Sequence, residues 1–79
     1  MTAHRLYAWD VSLGDDHGAA GVTDDESRAR ARLAEALAGA RPGARGRIRG
    51  AFLSLAGPRY VYGRTLAAAE VTDQGVAWS

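Results

Sequence analysis

The sequence predicts one small α+β domain, in which a mostly antiparallel sheet of about four or five strands carries one helix on one face. The chain has 79 residues, which is too few for two separate hydrophobic cores. One segment has helical periodicity and a capping signal, whereas most other segments alternate polar and apolar residues between glycine-containing turns. We therefore treat residues 1–79 as a single domain.

The first predicted elements are a strand and a short return strand. Polar and apolar residues alternate through residues 5–13, which is the period of a strand with two different faces. The next five residues are rich in glycine and aspartate, which is typical of a turn. A hairpin that returns through residues 19–22 is therefore expected, with a short second strand.

The predicted helix covers about residues 24–39. Thr23 and Glu26 have the spacing of a capping box, in which the hydroxyl and the carboxylate each accept a hydrogen bond from a free amide. Gly39 is a suitable terminator, and Pro42 prevents continuation. Apolar residues at helical spacing form one stripe: Ala29, Leu33, Ala36, Leu37 and Ala40.

The remaining segments have mainly strand character. Residues 47–55 predict a strand whose large apolar residues fall on both faces, which indicates either two-sided burial or a bulge near Gly50. Residues 59–71 are compatible with a long strand, although residues 67–70 fit a helical turn equally well. Residues 73–75 predict a three-residue hairpin loop that leads into a last short strand.

The core is expected to depend on a few large side chains, because much of the apolar fraction of 47% is alanine. We expect Trp9 and Trp78 to be core residues of neighbouring strands, and exposure of either would instead indicate an interface anchor. The predicted core comprises Leu6, Tyr7, Trp9, Val11, Leu13, Leu33, Leu37, Ile48, Phe52, Leu53, Leu55, Val61, Tyr62, Leu66, Val71, Val76 and Trp78.

The composition excludes several kinds of chemistry. The chain contains no cysteine, which excludes disulfides, thiolate catalysis and cysteine-based metal sites. All ten basic residues are arginine, so lysine Schiff bases and P-loop lysines are excluded as well. The preference for arginine, alanine and glycine indicates a GC-rich coding sequence, typical of bacteria. No cofactor is expected.

We expect a cytoplasmic protein that is not an enzyme. No long apolar run is present, and the first residues lead into a strand pattern, so neither a membrane partner nor a signal peptide is expected. His4 and His17 lack the spacing of a catalytic unit, and no small-molecule substrate is expected. The acidic residues 15–16 and 24–26 fit turn and cap chemistry better than a calcium loop, so no metal is expected.

Charge is unevenly distributed along the chain. Residues 1–26 contain six acidic residues and one arginine, whereas residues 27–49 contain seven arginines and one glutamate. Residues 41–49 hold four arginines on a glycine-containing loop and strand, where guanidinium groups can grip phosphate oxygens. Tyrosines 60 and 62 follow and can supply stacking surfaces if the two strands pair. The candidate site comprises Arg41, Arg45, Arg47, Arg49, Arg59, Tyr60, Tyr62 and Arg64.

Two functional hypotheses remain open at this point. In the first, a small non-enzymatic binding or regulatory protein contacts nucleic acid through these residues. In the alternative, the chain is a protein-interaction module, either a homodimer or an accessory subunit, with no nucleic-acid role. The arginines also have a plainer explanation, since arginine replaces lysine throughout and the basic segment balances the acidic first third of the chain.

Overall fold

The computed structural model describes residues 5–14, 17–54, 57 and 59–79, which form one five-stranded sheet and one helix. The sheet is antiparallel throughout, with the strand order β2-β1-β3-β4-β5. The helix α1 lies on one face, against β1, β2 and β3. The α+β fold predicted from the sequence is therefore confirmed. In chain order the elements are β1 (Leu6–Gly14), β2 (His17–Thr23), α1 (Glu26–Leu37), β3 (Arg45–Ser54), β4 (Arg59–Thr72) and β5 (Gly75–Trp78).

The helix begins near the predicted place but with a different cap. The Asp25 carboxylate accepts hydrogen bonds from the amides of Ser27 at 2.8 Å and Arg28 at 3.3 Å. The Thr23 hydroxyl accepts from the Asp25 amide at 3.3 Å, so it stabilises the turn before the helix. Aspartate is as good an N-cap as a hydroxyl residue, and here it lies nearer the first apolar turn. The predicted capping box is therefore wrong.

A small core lies between α1 and the covered face of the sheet. Leu33 and Leu37 are fully buried against Ile48 of β3. Gly46 allows this close approach, since a Cβ at that position would lie 2.5 Å from Leu33 Cδ1. The buried cluster comprises Val11, Ala29, Leu33, Leu37, Ala44, Ile48, Ala67, Ala69 and Val71.

The predicted core was too large. Five of its members are buried, namely Val11, Leu33, Leu37, Ile48 and Val71. One physical reason is the length of the cover, since α1 has 12 residues and spans about 18 Å, whereas β4 has 14 residues and spans about 46 Å. A second reason is direction, since Leu53 and Tyr62 project from the face opposite α1. Leu6, Tyr7 and Trp9 are half-buried, and Leu55 lies outside the described residues. The exposed members are Leu13, Phe52, Leu53, Val61, Tyr62, Leu66, Val76 and Trp78.

The long strand β4 resolves two sequence ambiguities. Its residues 67–70 are strand, and its pairing with β3 shifts register between Ile48 and Arg49 and again between Arg49 and Ala51. These shifts favour the bulge near Gly50 over two-sided burial.

The last hairpin differs from the prediction in two respects. Thr72 pairs with Gly75, so the connection has two residues rather than three. Trp78 lies on the edge strand β5, which β3 and β4 separate from β1, and it is 42% exposed. It is therefore not a core residue, and its ring instead lies 5.7 Å from the Arg30 guanidinium carbon.

One end of the β3–β4 hairpin projects beyond its neighbours. We call residues 52–54 and 59–66 the distal arm. The last partner of β3 on β1 is Leu6, opposite Ala51, and β5 pairs with β4 only from Ala69 onwards. The arm contributes to the elongated shape, which measures 46 × 24 × 17 Å. None of the described helical segments is long and apolar enough to cross a membrane.

Candidate nucleic-acid interface

Three of the predicted arginines share the face of the sheet opposite α1, which we call the open face. Side chains alternate along β3, and the ladder with β1 is regular from Leu6 to Ser12. Gly46 and Ile48 point towards α1 and are buried. Arg45, Arg47 and Arg49 therefore point the other way, towards the uncovered side.

Both predicted tyrosines lie on the same face. Tyr62 pairs with Ala51 and Tyr60 pairs with Leu53, and residues directly opposite each other project to the same side. The two side chains remain 47% and 44% exposed. The Arg49 guanidinium carbon lies 4.3 Å from the centroid of the Tyr62 ring, which is a cation–π contact. Strand pairing thus joins the arginine row to an aromatic surface.

Asp10 is the centre of the charge arrangement on the open face. It lies on β1 directly opposite Arg47, whose Nε donates to both carboxylate oxygens at 3.2 and 3.1 Å. An Arg49 Nη atom lies 3.6 Å from the same carboxylate. Arg49 Nε is buried and has no hydrogen-bond partner among the described residues. Two guanidinium groups therefore converge on one carboxylate.

Sequence reasoning missed Asp10 as a site residue, although a signal for it was present. Asp10 is the one charged residue in the alternating pattern of residues 6–13. A charge in the middle of a strand that lies inside a sheet needs a partner on a neighbouring strand. The identity of that partner depended on strand order, which the sequence pattern did not predict.

A second ion pair lies at the other end of the arginine row. Arg45 Nε lies 3.4 Å from a Glu70 carboxylate oxygen, and both side chains are largely exposed. Exposed pairs of this kind contribute about 0.2–1 kcal/mol, because water screens them and the long side chains lose freedom. The three arginines of the row thus pair with two acidic residues, which leaves one positive charge in excess within this group.

Two depressions follow the charged residues across the open face. The larger has a volume of about 690 Å³, and its lining includes Arg45, Arg47 and Glu70. The smaller, of about 220 Å³, is lined in part by Arg49 and Tyr62. Asp10 borders both depressions. Charged side chains therefore border two depressions whose linings also include apolar residues such as Ala68 and Trp9.

Three of the predicted site residues lie elsewhere. Arg41 is exposed in the loop after α1, where it borders a depression with Leu13 and Gly39. Arg59 pairs with Ser54 at the tip of the distal arm, and Arg64 borders a different depression on that arm. The structure therefore brings together five of the eight candidate residues: Arg45, Arg47, Arg49, Tyr60 and Tyr62.

Within the described part of the chain, no three histidine, cysteine, aspartate or glutamate residues converge. Comparison with known proteins adds no relative. No family model matches the chain, and no curated protein or solved structure is significantly similar to it.

Proposed function

We propose that this chain is a non-enzymatic domain that binds single-stranded nucleic acid through the open face of its sheet. One observation carries the proposal: three arginines and two exposed tyrosines project from the same uncovered surface. Guanidinium groups bind phosphate oxygens in pairs, and aromatic rings stack on unpaired bases. The two residue types are therefore placed for the two parts of a nucleotide.

The arginine row suits a phosphate backbone. Alternate residues of a strand are about 6.7 Å apart, so the row presents its cations at regular intervals. In the structure Arg47 pairs with Asp10, and the two side chains are 48% and 36% exposed, respectively. A partly exposed pair is weak, and a backbone phosphate presents two oxygens and one negative charge that match the guanidinium fork as a carboxylate does. A phosphate can therefore replace Asp10 at little cost.

The tyrosines favour single strands over duplexes. Their rings lie on an open sheet, where an unpaired base can stack flat against them. In a duplex the faces of the bases are covered by their neighbours, so only the phosphate contacts would remain. We expect single-stranded DNA or RNA to bind more tightly than a duplex of the same sequence.

The test is fluorescence anisotropy with labelled single-stranded oligonucleotides at several salt concentrations. Arg47→Ala combined with Arg49→Ala should weaken binding by at least tenfold and reduce the salt slope by about one per arginine. Arg28→Ala combined with Arg32→Ala, on exposed positions of α1, is the matched control with the same loss of charge. Equal losses in the two double variants would contradict the proposal, as would absence of binding to the unmodified chain at low salt.

Variants of Tyr62 distinguish the contribution of base stacking to affinity from that of charge. Tyr62→Phe keeps the ring and should retain nearly full affinity, whereas Tyr62→Ala should cost about 1–3 kcal/mol of binding free energy if one base stacks there. Near-ultraviolet circular dichroism of both variants checks that the arm is still folded. Equal affinities of the two variants would show that no base stacks on Tyr62.

A further inference from the structure

Along the distal arm, one edge of β4 has no partner strand among the described residues. On that side β5 pairs with residues 69–72, and Ser79 exchanges two backbone hydrogen bonds with Ala68. Among the described residues, no strand pairs with residues 59–67 on that side. Backbone amides and carbonyls of an unpaired edge alternately point outwards and can accept another strand. This edge is therefore a site for main-chain pairing.

Large apolar side chains are concentrated on the same arm. The described residues include ten exposed large hydrophobic residues, and six of them belong to the arm. These side chains divide between the two faces of the arm, and such a concentration of exposed apolar residues in one segment is typical of a binding site rather than of a free monomer surface. The six are Phe52, Leu53, Tyr60, Val61, Tyr62 and Leu66.

Charge determines which partner fits. Residues 50–69 contain Arg59 and Arg64 but no acidic residue. Arg5 borders a depression of about 680 Å³ together with Arg64 and Phe52, so it adds a third cation nearby. Two copies of the chain paired through this edge would bring Arg59 and Arg64 of both copies together, with no acidic residue from either arm between them, which is unfavourable. An acidic partner has the complementary charge.

We propose that the free edge of β4 binds an extended acidic peptide segment of another protein as an additional strand of the sheet. Such strand addition obtains affinity from main-chain hydrogen bonds and specificity from alternate side chains. Tyr60 and Tyr62 project on the open-face side, whereas Arg59 and Val61 project on the other side. The fitting sequence therefore alternates acidic residues, which meet Arg59, with apolar residues, which meet the tyrosines. This inference does not depend on nucleic-acid binding.

The test uses the full chain labelled with ¹⁵N and a short synthetic peptide that alternates glutamate and valine. Binding should shift the amide resonances of residues 59–67 more than those of β1 and β2. In a control peptide of the same sequence, alternate backbone nitrogens are methylated, so that it lacks the N–H groups that would donate to the carbonyls of β4. This peptide should bind at least tenfold more weakly. Equal affinity of the methylated peptide would overturn strand addition.

Charge reversal supplies the second arm of the test. Arg59→Glu combined with Arg64→Glu should abolish binding of the glutamate peptide and allow binding of a peptide that alternates lysine and valine. Arg28→Glu combined with Arg32→Glu is the control with the same change in net charge, and it should leave the glutamate peptide bound. If both double variants lost affinity for the glutamate peptide to a similar extent, net charge alone would explain the effect, and the proposed site would be wrong.

Light scattering separates self-association from partner binding. The unmodified chain should be monomeric at the peptide-binding concentration. A dimer that the arm variants dissociate would show that a second copy covers the edge, and it would overturn the proposal.

Discussion

The two ends of the β3–β4 hairpin have opposite environments, although they belong to the same pair of strands. At the covered end, the buried residues of β4 are Ala67, Ala69 and Val71. At the other end, the distal arm exposes larger side chains, including Tyr60 and Leu66. The smaller side chains are thus the buried ones. Burial in this molecule follows the position of the cover and not the hydrophobicity of the residue.

The cover at the buried end consists of α1 and the loop that follows it. The Gly43 amide donates to the Val71 carbonyl at 2.8 Å, and the Val71 amide donates to the Ala44 carbonyl at 2.8 Å. This loop holds Ala44 against the end of β4 and completes the core there. The distal arm has no such neighbour among the described residues. Its stability therefore depends on its own cross-strand pairs, while its large apolar side chains remain exposed.

Alanine substitutions at two glycines of β3 should give the largest difference in stability between the two ends of the β3–β4 hairpin. Gly46→Ala places a Cβ 2.5 Å from Leu33 Cδ1 and 3.3 Å from the Asp10 carbonyl oxygen. Leu33 is fully buried and cannot move freely, so overpacking should cost about 2 kcal/mol of the free energy of unfolding. At Gly50 the nearest atom to a Cβ, Leu66 Cδ1, lies 4.0 Å away, so Gly50→Ala should be neutral or slightly stabilising. Urea denaturation of both variants measures the difference, and equal losses would contradict the packing described for Gly46.

The same substitution at two valines of β4 compares the stability of the two ends without a change at a glycine. Val71 is 6% exposed and Val61 is 37% exposed. Val71→Ala removes buried methyl groups and leaves a cavity, which should cost about 1.5–2 kcal/mol, whereas Val61→Ala should cost about 0.5 kcal/mol. Strand propensity changes equally in both variants, so the difference reports burial alone. A Val61→Ala variant as destabilised as Val71→Ala would mean that the arm is covered in solution.

Local patterns predicted the elements well, because each depends on residues close in sequence. Alternation located β1, and helical spacing with a nearby acidic cap located α1. The cap itself was assigned to the wrong residue, since Thr23 and Asp25 both offer suitable oxygens. Which oxygen reaches the first helical amides depends on backbone geometry that a motif does not contain.

Properties that depend on several elements were less predictable. The exposure of Phe52 and Leu66 follows from the short reach of α1, which becomes evident only when strand order is known. For the candidate site, one segment of alternating arginines predicted the shared direction of Arg45, Arg47 and Arg49. The separation of Arg41 and Arg64 from that row, and the position of Asp10, required the strand pairing.

Electrostatic pairing differs between the two ends as sharply as burial does. On the open face of the covered end, Asp10 pairs with Arg47 and Glu70 pairs with Arg45. Arg59 and Arg64 on the distal arm have no acidic residue close in sequence. If phosphate replaces Asp10 at the open face, the carboxylate competes with the ligand for the same guanidinium groups. Removal of its charge should then strengthen binding there.

Asp10→Asn makes this competition measurable. It should raise the affinity for single-stranded oligonucleotides about three- to tenfold and steepen the salt dependence, since Arg47 becomes available to phosphate. Asp73→Asn in the exposed β4–β5 turn is the matched control, because it changes net charge equally away from the open face. Asp10→Asn weakens two partly exposed ion pairs, with Arg47 and with Arg49, and at about 0.2–1 kcal/mol for each pair folding should be preserved. A weaker affinity of Asp10→Asn than of Asp73→Asn would show instead that Asp10 positions the arginines for binding, and that the guanidinium groups need its carboxylate to stay in place.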